Sequence, residues 1–488
     1  MAERNLNCDW KQYMKEHTIT MEEAIKKIEP GDVIWVGQAT NIPYAFYNEL
    51  YAHKEDYHDV TIWSNVYSDP SIAGMLFDHD IKDHFRLLSI YNLPLDRMAI
   101  EEHTMEVLGA SYDTYEACMW ENGVNTYTFQ VCPPDGEGWC NTGCYAAVTA
   151  KYGMNDKRIK KRFAFVDSTG TYPAPGPRED VCVHITDFDY IIMNDTEMMA
   201  LPNLEPGDVD EKIASFILPY IKPGDKVQIG YGGLGEAILC NLDKVEGSFE
   251  IFSEVLCDGM IPYVESGKIS KLKAGSPSAC CENTFKWLAT TDKDVRLYNR
   301  SETIDPLAIM ELDSLVAINA TFMVDLLGQC CSEAQGLKPY TGMGGSLSFI
   351  YGCTRVKNGR SFVCLRSTYK KDGELKSNIV PWLPEGSIVS MLKNYVMFIV
   401  TEYGVADVYL KSYVDRIKAL IKIAHPDFRE WLKEQILTTP LIEEYDFKDY
   451  DMFDGKQPEV RQPVANLPHR QYTFPVTTET DGNYEFKM

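Results

Sequence analysis

The alternation of hydrophobic and polar positions follows the same course twice along this chain. Residues 23–37 read EAIKKIEPGDVIWVG and residues 216–230 read FILPYIKPGDKVQIG. In both, an amphipathic helix end gives way to Ile-x-Pro-Gly-Asp, a turn sequence, and then to a hydrophobic strand that stops at glycine. Pro30 and Pro223, Asp32 and Asp225, and Gly37 and Gly230 are each 193 residues apart. A second match follows, IWSNVYSD at 62–69 against IFSEVLCD at 251–258, at an offset of 189. Pro-Gly-Asp alone is a common turn. Two matched blocks in the same order argue for a duplication.

Each half is therefore predicted to open helix, turn, strand, loop, helix, strand. MVDLLGQ, SFVCLRS and VMFIVTEYG read as further strands of the second half. This alternation predicts an α/β fold: two similar duplicated domains with mostly parallel sheets flanked by helices. The domains are placed at 1–205 and 206–440, divided within the polar, Pro-rich stretch LPNLEPGDVDEK at 201–212. Residues 441–488 are acidic, Pro-rich and without periodicity, and are expected to form an extended arm on the body or on a neighbouring subunit.

Composition narrows the function classes. A net charge of -25 over 488 residues argues against nucleic acid or an anionic membrane surface as partner. A polyanionic ligand would need cations and backbone N–H groups gathered locally. The first residues, MAERNLNCDWKQYMKEH, contain no apolar core segment, and no run of 18 apolar residues occurs, so neither a signal peptide nor a membrane span is expected. The 14 cysteines then read as reduced thiols of a cytoplasmic protein. Cys140/Cys144, Cys280-Cys281 and Cys330-Cys331 lack zinc spacing and a histidine cluster, so no metal is expected.

The two halves diverge at one place. Ser64-Asn65-Val66 corresponds to Ser253-Glu254-Val255, an amide against a carboxylate at the end of a buried strand, where parallel sheets bind ligands. A partly desolvated Glu254 is a candidate nucleophile; a helix cap is the plainer alternative. Just before it, Gly230-Tyr231-Gly232-Gly233-Leu234-Gly235 fits G-x-G-x-x-G, with Glu254 about 20 residues on, so a nicotinamide-dependent dehydrogenase is a rival on this segment. The first-half equivalent, GQATNIP, has lost the glycines. A third region, Tyr340 to Phe349, holds Gly342, Gly344 and Gly345 within four positions, marking a backbone that approaches a ligand or another chain, or a tight turn. Arg355, Lys357 and Arg360 follow as candidate phosphate contacts or a solvated loop.

GYGGLGEAI (230–238), IFSEVLCDGM (251–260), VDLLGQCCSE (324–333), TGMGGSLSF (341–349), IVTEYGVAD (399–407) and KALIKIAHPDFRE (418–430) together resemble the acetyl-CoA hydrolase/transferase family. Within it they resemble the branch of 4-hydroxybutyrate and butyryl-CoA:acetate CoA-transferases. The resemblance implies CoA transfer from a short acyl-CoA to a small carboxylic acid, with the active site between two α/β domains. It makes Glu254 the catalytic residue, forming an acyl-glutamyl anhydride and then a glutamyl-CoA thioester. It puts CoA contacts on Gly230, Tyr231, Gly232, Gly233, Leu234, Gly235, Gln329, Gly342, Met343, Gly344 and Gly345, and oxyanion-binding backbone N–H groups at Gln38 and Gly342. Coenzyme A would be co-substrate and covalent intermediate, with no tightly bound cofactor, and the protein a homodimer or homotetramer. Where the family often has His, this chain has Phe252. The family's GGQxDF reads GGSLSF, and Gly235-Glu236 replaces Pro-Asn. An altered acyl pocket involving Phe252, Ser346 and Ser348 is therefore expected. An acyl-CoA hydrolase on the same scaffold shares the nucleophile and stands as the alternative.

Overall fold

A computed structural model describes residues 8–64, 66–143, 153–154, 156–169, 171–196, 205–230, 232–277 and 282–458. In the first half, β1 (Val33–Trp35), β2 (Val60–Ser64), β3 (Phe85–Ser89), β4 (Met105–Val107), β5 (Thr126–Val131), β6 (Lys161–Val166) and β7 (Tyr190–Met193) form one sheet. Their order is β4-β3-β2-β1-β5-β6-β7, and every pair is parallel. In the second half, β8 (Lys226–Ile229), β9 (Phe249–Leu256), β10 (Ile269–Pro277), β11 (Val295–Leu297), β12 (Ser314–Ala320), β13 (Asn358–Cys364), β14 (Phe398–Thr401) and β15 (Gly404–Asp407) form another. Its order is β11-β10-β9-β8-β12-β13-β14-β15, parallel except for the antiparallel β14–β15 pair. Read strand for strand, the first seven positions of the two sheets have the same order. Each sheet reverses its winding beside its first strand, β1 or β8, which opens a crevice at the carboxyl ends of the strands.

The repeated turn is held the same way in both halves. Gly31 and Gly224 have φ of +86° and +80°, a conformation that favours glycine. Asp32 accepts the Glu29 N–H at 2.8 Å and Asp225 accepts the Lys222 N–H at 2.7 Å. A cation from β6 or β13 completes each turn. Lys161 bonds Asp32 and the Lys27 carbonyl; Arg360 bonds Asp225 and the Tyr220 carbonyl. Arg360 is thus buried and consumed inside the fold, not free for a phosphate.

Alternating strand residues fill the two faces of the first sheet: Ile34, Ile62, Leu87 and Phe163 on one, Trp35, Trp63, Leu88 and Ala164 on the other. The second sheet is sandwiched likewise, with the helices α1 (Tyr413–Ile423) and α2 (Pro426–Ile436) closing one face. MVDLLGQ departs from expectation: only Met323–Asp325 is extended, in a small side sheet. Of the stretch 201–212, residues 201–204 lie outside the described residues and Asp208–Ile217 is helical.

The arm is described to residue 458. Ile442, Phe447 and Met452 pack on α1 and α2, and Gln457 accepts the Val405 N–H at 2.9 Å. Among the described residues no helix is long and apolar enough to cross a membrane, and no group of three metal-ligating side chains is placed to hold an ion. Cys144, Cys280 and Cys281 lie outside the described residues, whereas Cys140, Cys330 and Cys331 are buried free thiols.

Candidate functional site

The carboxyl ends of the two sheets face each other across a cavity of about 290 Å³. Gln38, Val66 and Tyr91 enter it from the ends of β1, β2 and β3. Gly230, Glu254 and Ala320 enter it from β8, β9 and β12. The equivalence implied by the duplication is thereby realised in space. Asn65, the counterpart of Glu254, lies outside the described residues.

Glu254 is the sixth of eight residues of β9, inside the strand, so it caps no helix. The Gly345 N–H donates to its Oε2 at 3.0 Å. Burial pushes the carboxyl up from its usual value to about 7, against the Gly345 bond and the charge of Arg300, which both favour ionisation. Near neutral pH both protonation states are accordingly populated. We expect the Glu254 carboxyl resonance, identified by its loss in Glu254→Gln, to titrate by 13C NMR with a midpoint near 7. A midpoint of about 4–5, that of a solvated glutamate, would show that water reaches the group freely.

The loop Gly342–Gly345 is wedged between the halves. A Cβ on Gly342 would stand 1.9 Å from the Ile90 carbonyl oxygen, and one on Gly345 would stand 2.4 Å from Glu254 Oε2. The Tyr112 N–H donates to the Gly344 carbonyl at 3.0 Å, fixing the loop from the first half. These glycines are required by close approach, on one side to the opposite domain and on the other to the carboxylate. Met343 and Ser346 also line the cavity, and the Ser346 hydroxyl donates to the Met343 carbonyl at 3.0 Å.

Other candidates are placed elsewhere. Phe252 is buried in the second-half core against Phe349, with ring centroids 6.5 Å apart. Ser348 is buried inside the helix Ser346–Cys353 that covers Phe252. Neither lines the cavity, so of the three expected acyl-pocket residues only Ser346 does. Gln329 closes a tight turn, its Nε2 donating to Asp325 at 2.7 Å, away from Glu254. Gly235 is buried, its Cα against the Gly230 carbonyl, and Tyr231 lies outside the described residues.

Gly232, Gly233 and Leu234 line a second, larger groove of about 980 Å³. It adjoins the cavity through Ala320, Thr321 and Phe322, which line both. Lys338, Arg366, Lys370 and Lys371 stand along it, a local concentration of positive charge on a chain of net charge -25. Asp210, its one carboxylate among the described residues, is engaged by Arg366 at 2.6 Å. Glu254 and Gly230 thus share one chamber, while Gly232, Gly233 and Leu234 face the other.

Several cavity residues carry no motif. Gln38 donates from Nε2 to the Tyr112 hydroxyl at 3.3 Å, while among the described residues its Oε1 and the buried Thr341 Oγ1 have no partner. Arg97, the one cation of the cavity lining among the described residues, stacks 3.7 Å over the Tyr340 ring. Val66 sits in the cavity wall at φ +69°, costly for a β-branched residue and held there by its packing. Of these, Gln38 directly follows the first repeated block and Val66 lies in the second, Tyr340 and Thr341 belong to the glycine cluster, and Arg97 and Tyr112 stood near no sequence signal.

Residues 281–436 match the model of the acetyl-CoA hydrolase/transferase C-terminal domain. The chain is 30% identical over 436 residues to the 4-hydroxybutyrate coenzyme A transferase of Clostridium kluyveri, covering 88% of this chain and 99% of that one. It is 28% identical over 434 residues to the probable butyrate:acetyl-CoA coenzyme A-transferase of Syntrophomonas wolfei, covering 86% and 95%. The crystal structure of RipA from Yersinia pestis superposes with a TM-score of 0.79 at 22% identity, over 89% of this chain and all of that one, a likeness of fold.

Proposed function

The chain belongs to the acetyl-CoA hydrolase/transferase family, and from that premise we propose that Glu254 carries coenzyme A between a short acyl-CoA and a small carboxylic acid. The observation that carries this reading is a buried carboxylate, raised to about 7, held by one glycine N–H in a cavity of about 290 Å³. That volume suits an acyl group of a few carbons. The adjoining groove, with Lys338, Arg366, Lys370 and Lys371, suits the phosphates of CoA, the thioester reaching Glu254 past Ala320–Phe322.

In the proposed sequence the Glu254 carboxylate attacks the thioester carbonyl and forms a C–O bond. The tetrahedral oxyanion collapses, the C–S bond breaks, and CoA thiolate leaves an acyl-glutamyl anhydride. The thiolate then attacks the glutamyl carbonyl, releasing the first acid as its carboxylate and leaving a Glu254–CoA thioester. An incoming carboxylate reverses both steps. Each nucleophile is an anion, so no proton need be removed. Oxyanion donors are assigned to the backbone N–H groups of Gln38 and Gly342, both in the cavity wall. The anhydride must be kept from water, and enclosure between two sheets serves that end.

Intact mass after incubation with acetyl-CoA is expected to show one CoA held as a thioester on Glu254, which borohydride reduces to the alcohol. No adduct with acetyl-, propanoyl- or butanoyl-CoA, or an adduct that survives in Glu254→Ala, overturns the reading.

A further inference from the structure

We propose that Arg300 is a positioning residue for Glu254, supplying the positive field that favours its charged, nucleophilic form, with Glu116 of the first half as the counterweight. The proposal rests on the reading of Glu254 as the nucleophile. Arg300 begins the short helix Arg300–Thr303, which packs directly on the Glu254 segment. A Cβ at Gly275 would touch both the Glu254 carbonyl and Thr303 Oγ1, and a Cβ at Gly345 would touch both Glu254 Oε2 and Ile304. The Arg300 side chain is only 3% exposed, yet among the described residues its Nε and Nη1 have no hydrogen-bond partner. A buried guanidinium with two unbonded nitrogens is costly unless its charge is used nearby.

Its surroundings come from the opposite half. Glu116 pairs with Nη2, Tyr115 stacks 4.2 Å from the guanidinium carbon, and Tyr112 lies 5.9 Å away. Tyr112 in turn bonds Gln38 and the Gly344 carbonyl. Arg300 is thus clamped by the first half while its charge acts on the carboxylate of the second. Among the described residues, the other charged or titratable groups in the cavity around Glu254 are Arg97, Tyr91, Tyr112 and Tyr340. The neighbouring strands present neutral Gln228, Ile229, Ala274, Gly275 and Ser276. Tyr127 is the further titratable group that feels Arg300.

A positive field stabilises the carboxylate, so removing it moves ionisation to higher pH; removing its counterweight does the opposite. The test is the rate of CoA adduct formation from acetyl-CoA between pH 5 and 9, read by intact mass, in wild type, Arg300→Gln, Arg300→Lys and Glu116→Gln. Arg300→Gln should move the acid limb up by about one pH unit, a roughly ten-fold loss at pH 6 that recovers by pH 9. Arg300→Lys should restore the wild-type limb, and Glu116→Gln should move it down. Limbs unchanged in both charge-removing variants, or shifted the same way, overturn the proposal. If Arg300→Gln fails to fold, an unmoved limb in Glu116→Gln overturns it alone. A wild type that forms no adduct fails one step earlier, at the nucleophile itself.

Discussion

Glu254→Gln should lower kcat for CoA transfer by roughly 10⁴-fold or more, because an amide cannot form the anhydride on which both half-reactions of the proposed sequence depend. The amide is isosteric and its oxygen still accepts the Gly345 N–H, which lies 3.0 Å from Oε2 in the wild type. The loss is therefore chemical, not architectural. Glu254→Asp keeps the charge but withdraws it by one methylene, and about 10²-fold is expected from misplacement alone. Steady-state kinetics with acetyl-CoA and butyrate measures both, and a Gln variant within ten-fold of wild type would refute the role. Stability should move the other way. The folded carboxyl sits near 7 and the unfolded one near 4.5. The stability linked to its proton is present below the unfolded value and lost as pH rises through the folded one. Glu254→Gln should consequently melt higher than wild type at pH 8, with the gain shrinking toward pH 5.

Gly345→Ala tests the wall behind the nucleophile. The added methyl would stand 2.4 Å from Glu254 Oε2 and 2.8 Å from Ile304 Cγ2, so it has no direction in which to settle. Either the carboxylate swings away from the Gly345 N–H or the loop lifts off Tyr112. Both displace the reacting oxygen by a good fraction of an ångström, for which a kcat loss on the order of 10²-fold is expected. Gly136→Ala is the control. It lies outside the cavity and the adjoining groove, its Cβ would meet nothing within 4 Å, and its activity should stay within a few-fold of wild type. Equal effects from the two substitutions would show that loss of a glycine, not contact with Glu254, governs the rate.

The duplication was legible because it is written in local chemistry. Pro-Gly-Asp and its strand recur 193 residues apart, and the aspartates, the N–H groups they accept and the carbonyls beside them superimpose in role. Glu254 was legible as the point where the halves differ. Phe252 was expected in the acyl pocket because it stands where the resembled family often has His, but the helix Ser346–Cys353, nearly a hundred residues on, buries it in the core. Gln329 was expected as a CoA contact from the family resemblance; here its amide is engaged by Asp325, four residues back. Arg97, Tyr112 and Arg300 left no local trace. Their roles arise only where the carboxyl ends of two sheets meet, a long-range packing that periodicity does not encode.

The cavity is walled unevenly by the two copies. The second provides Glu254, the proposed nucleophile, with the Gly342–Gly345 loop and the adjoining basic groove; the first provides Gln38, Val66, Tyr91, Arg97 and Tyr112. In the proposed chemistry the reagent stands on one copy, while the other adds an oxyanion donor, Gln38, and most of the surrounding wall. Val66, Tyr91 and Arg97 take no part in that chemistry, so changes there would reshape what the cavity admits while Glu254 and its Gly345 N–H stay in place. These are the positions at which a directed-evolution experiment on acid preference would begin.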